Sequence, residues 1–130
     1  MSVRRTTQIV DLHRCPCAGT TLDKLIQPAI LVVLAEGPLH GYRLAERIGG
    51  MPGFAGQKPD VSGIYRFLKA MQRNGFVVSS WDLSASGPAK KCYAITPAGR
   101  RCLRRWIKTL QEHREAITAL LRVARKAAKR

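Results

Sequence analysis

Near its start the chain places a histidine and two cysteines within five positions, His13, Cys15 and Cys17 in "HRCPCAG". Two thiols and an imidazole are donors for a soft metal ion, and Cys92 or Cys102 could complete the set. The spacing is not that of a structural zinc knuckle, which separates its cysteines by two or more residues and repeats the pair downstream. An i, i+2 pair also closes a disulfide on itself only with strain. The segment is therefore read three ways: a metal or metalloid sensor, a thiol-oxidation switch beside Arg14, or a tail with neither role. A Cys-Pro dipeptide also matches short haem-regulatory patterns, loosely. Cys92 and Cys102 fall in a β-rich run and beside a helical stripe, where cysteine is commonly a small core residue.

Charge points to a polyanionic partner. The 130 residues carry a formal net charge of +15, which predicts attraction to nucleic acid. The excess is uneven. Residues 97–130 hold eleven cations and two anions, +9 of the total, against +4 for 22–96 and +2 for 1–21. Nothing resembles a nucleophile–base pair, a phosphate-binding glycine loop or paired catalytic carboxylates, so no enzyme is expected. The apolar run "AILVVLA" stops at Glu36, too short for a membrane span. No secretory signal is legible in "MSVRRTTQIVDLHR", and the cysteines have no disulfide pattern. A cytoplasmic location with reduced thiols is expected.

The elements follow from periodicity and caps. "DKLIQPAILVVLA" reads as a helix with Asp23 as a cap, and Pro28 requires a late start, in the first turn. "EGPLHG" breaks it. "GYRLAERI" is a short helix with Tyr42, Leu44, Ala45 and Ile48 as its inner face, and the glycine- and proline-rich "GGMPGFAGQKP" is a loop. "DVSGIYRFLKAMQRNG" is a third helix, capped by Asp60 or Ser62, with Ile64, Phe67, Leu68 and Met71 inward and Gly75 as the left-handed stop. "FVVSSWDL" and "KKCYAIT" form a hairpin around "SASGPA". Thr96 and Pro97 then open a helix of about 30 residues. In it Leu103, Trp106, Leu110, His113, Ile117 and Leu120, continuing to Ala124 and Ala127, recur at heptad spacing. This seam is expected to form a homodimer interface, against the same helix or the first helix of a second copy; folding back on its own domain is the alternative.

Three helices and a hairpin make a winged helix-turn-helix, so the expected class is α+β, mostly α. The division is an N-terminal extension over 1–21, a winged domain over 22–96 and a C-terminal dimerisation helix over 97–130. On the third helix Ser62, Gly63, Tyr65, Arg66, Lys69 and Arg73 are left outward. Arg66 can fork onto guanine and Lys69 offers a point charge. Lys90 and Lys91 of the hairpin can hold phosphates, helped by Ser84 and Ser86.

The runs "ILVVLAEGPLHGYRLAERI", "VSGIYRFLKAMQRNGFVVSSW" and "KKCYAITPAGRRCL" together resemble the PadR family of transcriptional regulators in its short form with one C-terminal helix, over residues 25–121. The resemblance implies a homodimeric binder of a double-stranded DNA operator, usually a repressor released by a small molecule or stress signal. It implies DNA contact for Tyr65 and a phosphate contact for Tyr42. It also points to Trp106, since some relatives hold planar aromatic molecules between such tryptophans. The cysteine-bearing extension departs from the family. Two other functions stay open: a metal- or metalloid-binding protein on a winged scaffold, and a sequence-neutral basic nucleic-acid binder.

Overall fold

The proline in the first helix sets where regular structure begins. In the computed structural model, which describes residues 25–51, 61–83 and 87–130, helix α1 spans Ile26–Glu36 and holds Pro28 in its first turn. There the missing amide is one the helix could not have used. The N-cap of α1 is Leu25, without a side-chain bond, rather than the expected Asp23; Asp60, His13, Cys15, Cys17, Ser84 and Ser86 lie outside the described residues.

Helix α1 is the hub. Ile30 and Leu31 are fully buried, with Ile26, Ala29, Val33 and Leu34 nearly so. A stripe this wide needs neighbours on several sides. It packs against α2 (Gly41–Gly49), α3 (Val61–Arg73), β3 (Lys90–Ile95) and α4 (Pro97–Ala128). Leu44 and Ile48 of α2, Ile64, Leu68 and Met71 of α3, Val77 of β2 (Val77–Asp82) and Tyr93 of β3 complete the core.

Two expectations change here. "EGPLHG" does break α1, but its Leu39–His40 forms a short strand, β1, paired antiparallel with Tyr93 and Cys92. The hairpin is thus a three-stranded sheet of order β1-β3-β2, and the wing is fastened directly to the entry of α2. Tyr42 is not on the inner face of α2: it is 43% exposed, whereas Leu44 and Ile48 are buried. At 100° per residue Tyr42 falls well away from the Leu44–Ile48 stripe.

The turn from α3 into β2 ends as its glycine predicts. Gly75 has φ +80°, its amide donates to the Gln72 carbonyl and that of Phe76 to Met71, a Schellman closure. The same turn anchors α4. The Thr96 hydroxyl accepts from the Gly99 amide at 3.0 Å and donates to the Gly75 carbonyl at 2.6 Å. Gly99 is buried against Phe76, whose carbonyl a Cβ would strike. Thr96→Ala is expected to remove both bonds and lower stability by about 1–2 kcal/mol in denaturant unfolding.

Beyond that anchor α4 runs free. Leu103 and Trp106 are partly buried against the core, while every residue from Gln111 to Arg130 is exposed. No helix among the described residues is long and apolar enough to cross a membrane.

Candidate nucleic-acid interface

Helix α3 sorts its side chains by period. Ile64, Leu68 and Met71 face the core, and Ser62, Tyr65, Arg66, Lys69 and Arg73 share the exposed face. Their spacing of 3, 1, 3 and 4 keeps them within about 100° of arc. From Ser62 to Arg73 the row runs about 16 Å at 1.5 Å per residue, a length that lies along a major groove about 12 Å wide. Gly63 sits in the first turn of the same helix, partly buried.

The wing closes one side of this face. In β3 the period of two puts Lys91 and Tyr93 on one side, with Lys91 Nζ 5.8 Å from the Tyr93 ring centre and 5.9 Å from that of Trp81 on β2. Tyr65, Lys69, Gln72 and Arg73 of α3 and Lys91 and Tyr93 of β3 line a single cleft. Burial, together with the nearby Tyr65, pushes the Tyr93 hydroxyl above its ordinary pKa. That group stays neutral.

A second cluster lies where the wing meets α2. Lys90 Nζ is 5.2 Å from the centre of the Tyr42 ring and the Arg43 guanidinium 5.9 Å from it, both within cation–π range. The His40 ring lies parallel to that of Tyr42 at 6.0 Å, and His40 Nε2 is hydrogen-bonded to Asp82 Oδ2 at 3.0 Å. A hydrogen bond from Arg43 and the charge of Lys90 lower the Tyr42 pKa. The chain from Asp82 through His40 to Tyr42 thus ties the wing to the start of α2, and Tyr42 presents its hydroxyl between two cations. The phosphate-contact residue implied by the resemblance therefore stands in a basic setting.

The face is electrostatically open. Among the described residues the ion pairs are His40–Asp82 and Glu36–Arg47, so Arg66, Lys69, Arg73, Lys90 and Lys91 have no carboxylate to release before meeting a phosphate. The sequence did not single out Arg43, His40, Gln72 or Tyr93. Strand alternation from Lys91 identifies Tyr93; His40 joins the cluster only through the fold.

Gly41 links the two clusters. A Cβ there would lie 2.5 Å from the Tyr65 hydroxyl oxygen and 2.7–2.8 Å from the adjoining ring carbons. Tyr65 is 41% exposed, so its ring can yield without opening the core. Gly41→Ala is expected to leave unfolding nearly unchanged while weakening duplex binding about tenfold (~1 kcal/mol), measured by fluorescence anisotropy. A loss of stability with unaltered binding would show that Tyr65 is packing only.

The remaining site residues divide by position. Trp106 lines a groove of about 530 Å³ with Phe76, Ala98, Arg101, Cys102, Arg105 and Thr109. Burial raises the Cys102 pKa against the opposing pull of Arg105 and a hydrogen bond with Trp106, which keeps the thiol protonated and slow to react. Leu103 and Trp106 spend part of their surface on the chain's own core, and Leu110 is half-buried; His113, Ile117 and Leu120 are exposed. No cluster of three or more metal-ligating groups occurs among the described residues.

Residues 30–105 match the model of the transcriptional regulator PadR-like family. The probable transcriptional regulator Rv1176c of Mycobacterium tuberculosis is 40% identical over 79 residues, covering 61% of this chain and 41% of that protein. The chain thus matches about two fifths of that relative's length. Among solved structures, TA0346 of Thermoplasma acidophilum is 35% identical, with a TM-score of 0.68 over 77% of this chain and 93% of the other. Bacillus subtilis PadR in complex with operator DNA is 27% identical, with a TM-score of 0.57 over 65% of this chain and 47% of that one.

Proposed function

Because the chain belongs to the PadR-like family of transcriptional regulators, we propose that it acts as a homodimeric repressor that binds a double-stranded DNA operator in a sequence-specific way. The carrying observation is the exposed row Tyr65, Arg66, Lys69 and Arg73 on α3, free of carboxylate partners among the described residues and flanked by Lys91 across the cleft. That the Bacillus subtilis relative takes operator DNA supports the same partner here.

In this reading Arg66 and Lys69 read base edges, because they lie in the middle of the row, and Arg73 meets phosphate at its end. Tyr42, Lys90 and Lys91 hold the backbone on either side. Ser62 and Gly63 lie at the end of the helix that enters the groove. A second copy pairs along Ile117 and Leu120, which are 65% and 68% exposed in the single chain and too apolar to be left in water over a whole helix face. The dimer sets two copies of α3 against two half-sites.

The releasing signal fits the groove beside Trp106. An indole, a phenyl ring and the guanidinium groups of Arg101 and Arg105 form its walls, which suits a planar molecule with an acidic group. Quenching of Trp106 fluorescence by such molecules, lost in an R101A/R105A variant, tests this assignment.

Selection of bound sequences from a random duplex pool tests the main reading. A homodimer enriches an inverted repeat whose half-sites lie one helical turn, or a multiple of one, apart. A pool recovered without sequence preference would leave a binder held by charge alone.

A further inference from the structure

The outer half of α4 carries a charge pattern that the winged face does not use. Arg122, Arg125, Lys126 and Lys129 follow one another at steps of three, one and three, within about 100° of helix arc and about 10 Å of axis. All four are exposed. The last acidic residue is Glu115, seven positions before Arg122, so none of the four has a carboxylate at i−3 or i−4. What stands at those spacings is like charge: Arg122 with Arg125 and Lys126, and Lys129 with Arg125 and Lys126. Each such pair opposes the helix rather than supporting it. Attraction to the helix C-terminus accounts for cations in the last turn but not for Arg122. A stripe that repels itself in water becomes favourable against a closely spaced row of anions.

We propose that Arg122, Arg125, Lys126 and Lys129 form a second, sequence-neutral face for the phosphate backbone of duplex DNA, separate from the winged face. The inference rests on the reading of the chain as a duplex binder but uses none of that site's residues. Ile117, Leu120 and Ala124 lie on the opposite side of the helix, so pairing with a second copy leaves the stripe in solvent. Duplex DNA carries one negative charge per about 1.7 Å of axis, which gives the four cations a row of partners along their length. An anionic lipid surface fits less well. A basic amphipathic helix lies on a membrane by burying its apolar side, and in the proposed dimer that side of the outer half, Ile117 and Leu120, is taken by the second copy.

The test is the salt dependence of binding to a duplex of random sequence between 50 and 200 mM salt. The full chain is compared with an R122A/R125A/K126A/K129A variant, a K126A/K129A variant and, for the phosphate contacts of the winged face, an R73A/K91A variant. Each released phosphate contact contributes about 0.9 to the log–log slope. The four-residue change is expected to lower the slope by about 3.6 per chain, so that the wild type loses on the order of a hundredfold more affinity than the variant over this range. The two-residue change gives half the decrease. Both variants are expected to keep helicity and thermal midpoint, since alanine favours helix and the replaced groups are exposed, without an ion pair among the described residues. An unchanged slope in both α4 variants, with a lower slope in R73A/K91A, overturns the second face and leaves the winged reading standing. A lower slope in the α4 variants with none in R73A/K91A overturns the winged reading instead. Capture by phosphatidylserine vesicles that is lost in the α4 variants, without any change in DNA binding, overturns the inference in favour of a membrane surface.

Discussion

Replacing Arg66 and Lys69 together with alanine is expected to weaken binding of a selected operator by about 3 kcal/mol, more than a hundredfold. Both side chains are exposed, stand one turn apart on α3 and have no ion-pair partner among the described residues. Nothing in the fold depends on them, so thermal stability should hold. The ratio of operator to random-sequence affinity separates the two roles. If the pair reads bases, the ratio collapses; if it meets only phosphates, all sequences weaken alike. Anisotropy titrations on both duplexes give the ratio directly, and an unchanged operator affinity would remove α3 from the interface.

Ile117→Asp is expected to dissociate the proposed dimer. In a symmetric pair the substitution puts two carboxylates into an apolar seam, a penalty of several kcal/mol. At about 4 kcal/mol the dimer constant rises roughly a thousandfold. Ile117 lies in the exposed half of α4, beyond the residues that touch the core, so the winged body should stay folded and the variant should be a helical monomer in sedimentation. Operator affinity should fall with it, because one copy engages only one half-site. A variant that remains dimeric would place the interface elsewhere.

Much of this architecture is legible in the sequence because local chemistry punctuates it. Pro28 fixes the first turn of α1, Gly75 closes α3 with a positive φ, and Thr96–Pro97 opens α4 with the hydroxyl cap they predict. The outward row of α3 follows from its period alone. What escapes is non-local. Leu39–His40 carries no strand pattern of its own and becomes β1 only by pairing with residues more than 50 positions away. The His40–Asp82 contact spans 42 positions, so the cluster that holds Tyr42 against Lys90 has no signature in either segment. Tyr42 itself is misplaced when its aromatic character is weighed above its angle: two residues before Leu44 it points away from the core. Arg43 gains its role only because the fold brings Lys90 to the other side of the same ring.

The helix–wing arrangement also explains why the interface comes as one unit. Tyr65 rests over Gly41, Gly41 opens α2, and β1 just before it pairs with the wing strand that carries Lys90 and Lys91. A shift of the wing therefore moves both clusters together, and the groove beside Trp106 lies against Phe76 at the foot of the same hairpin. An effector seated there would bear on the hairpin from its base.

The most direct test is the pattern of backbone amide shifts when a selected duplex is added to the isotope-labelled protein. The largest perturbations are expected at residues 41–43, along 62–73 and at 90–91, with a second set at 122–129. Perturbations confined to α4, with α3 and the wing unmoved, would contradict the winged face as the operator-reading surface and leave a protein that holds DNA by charge alone.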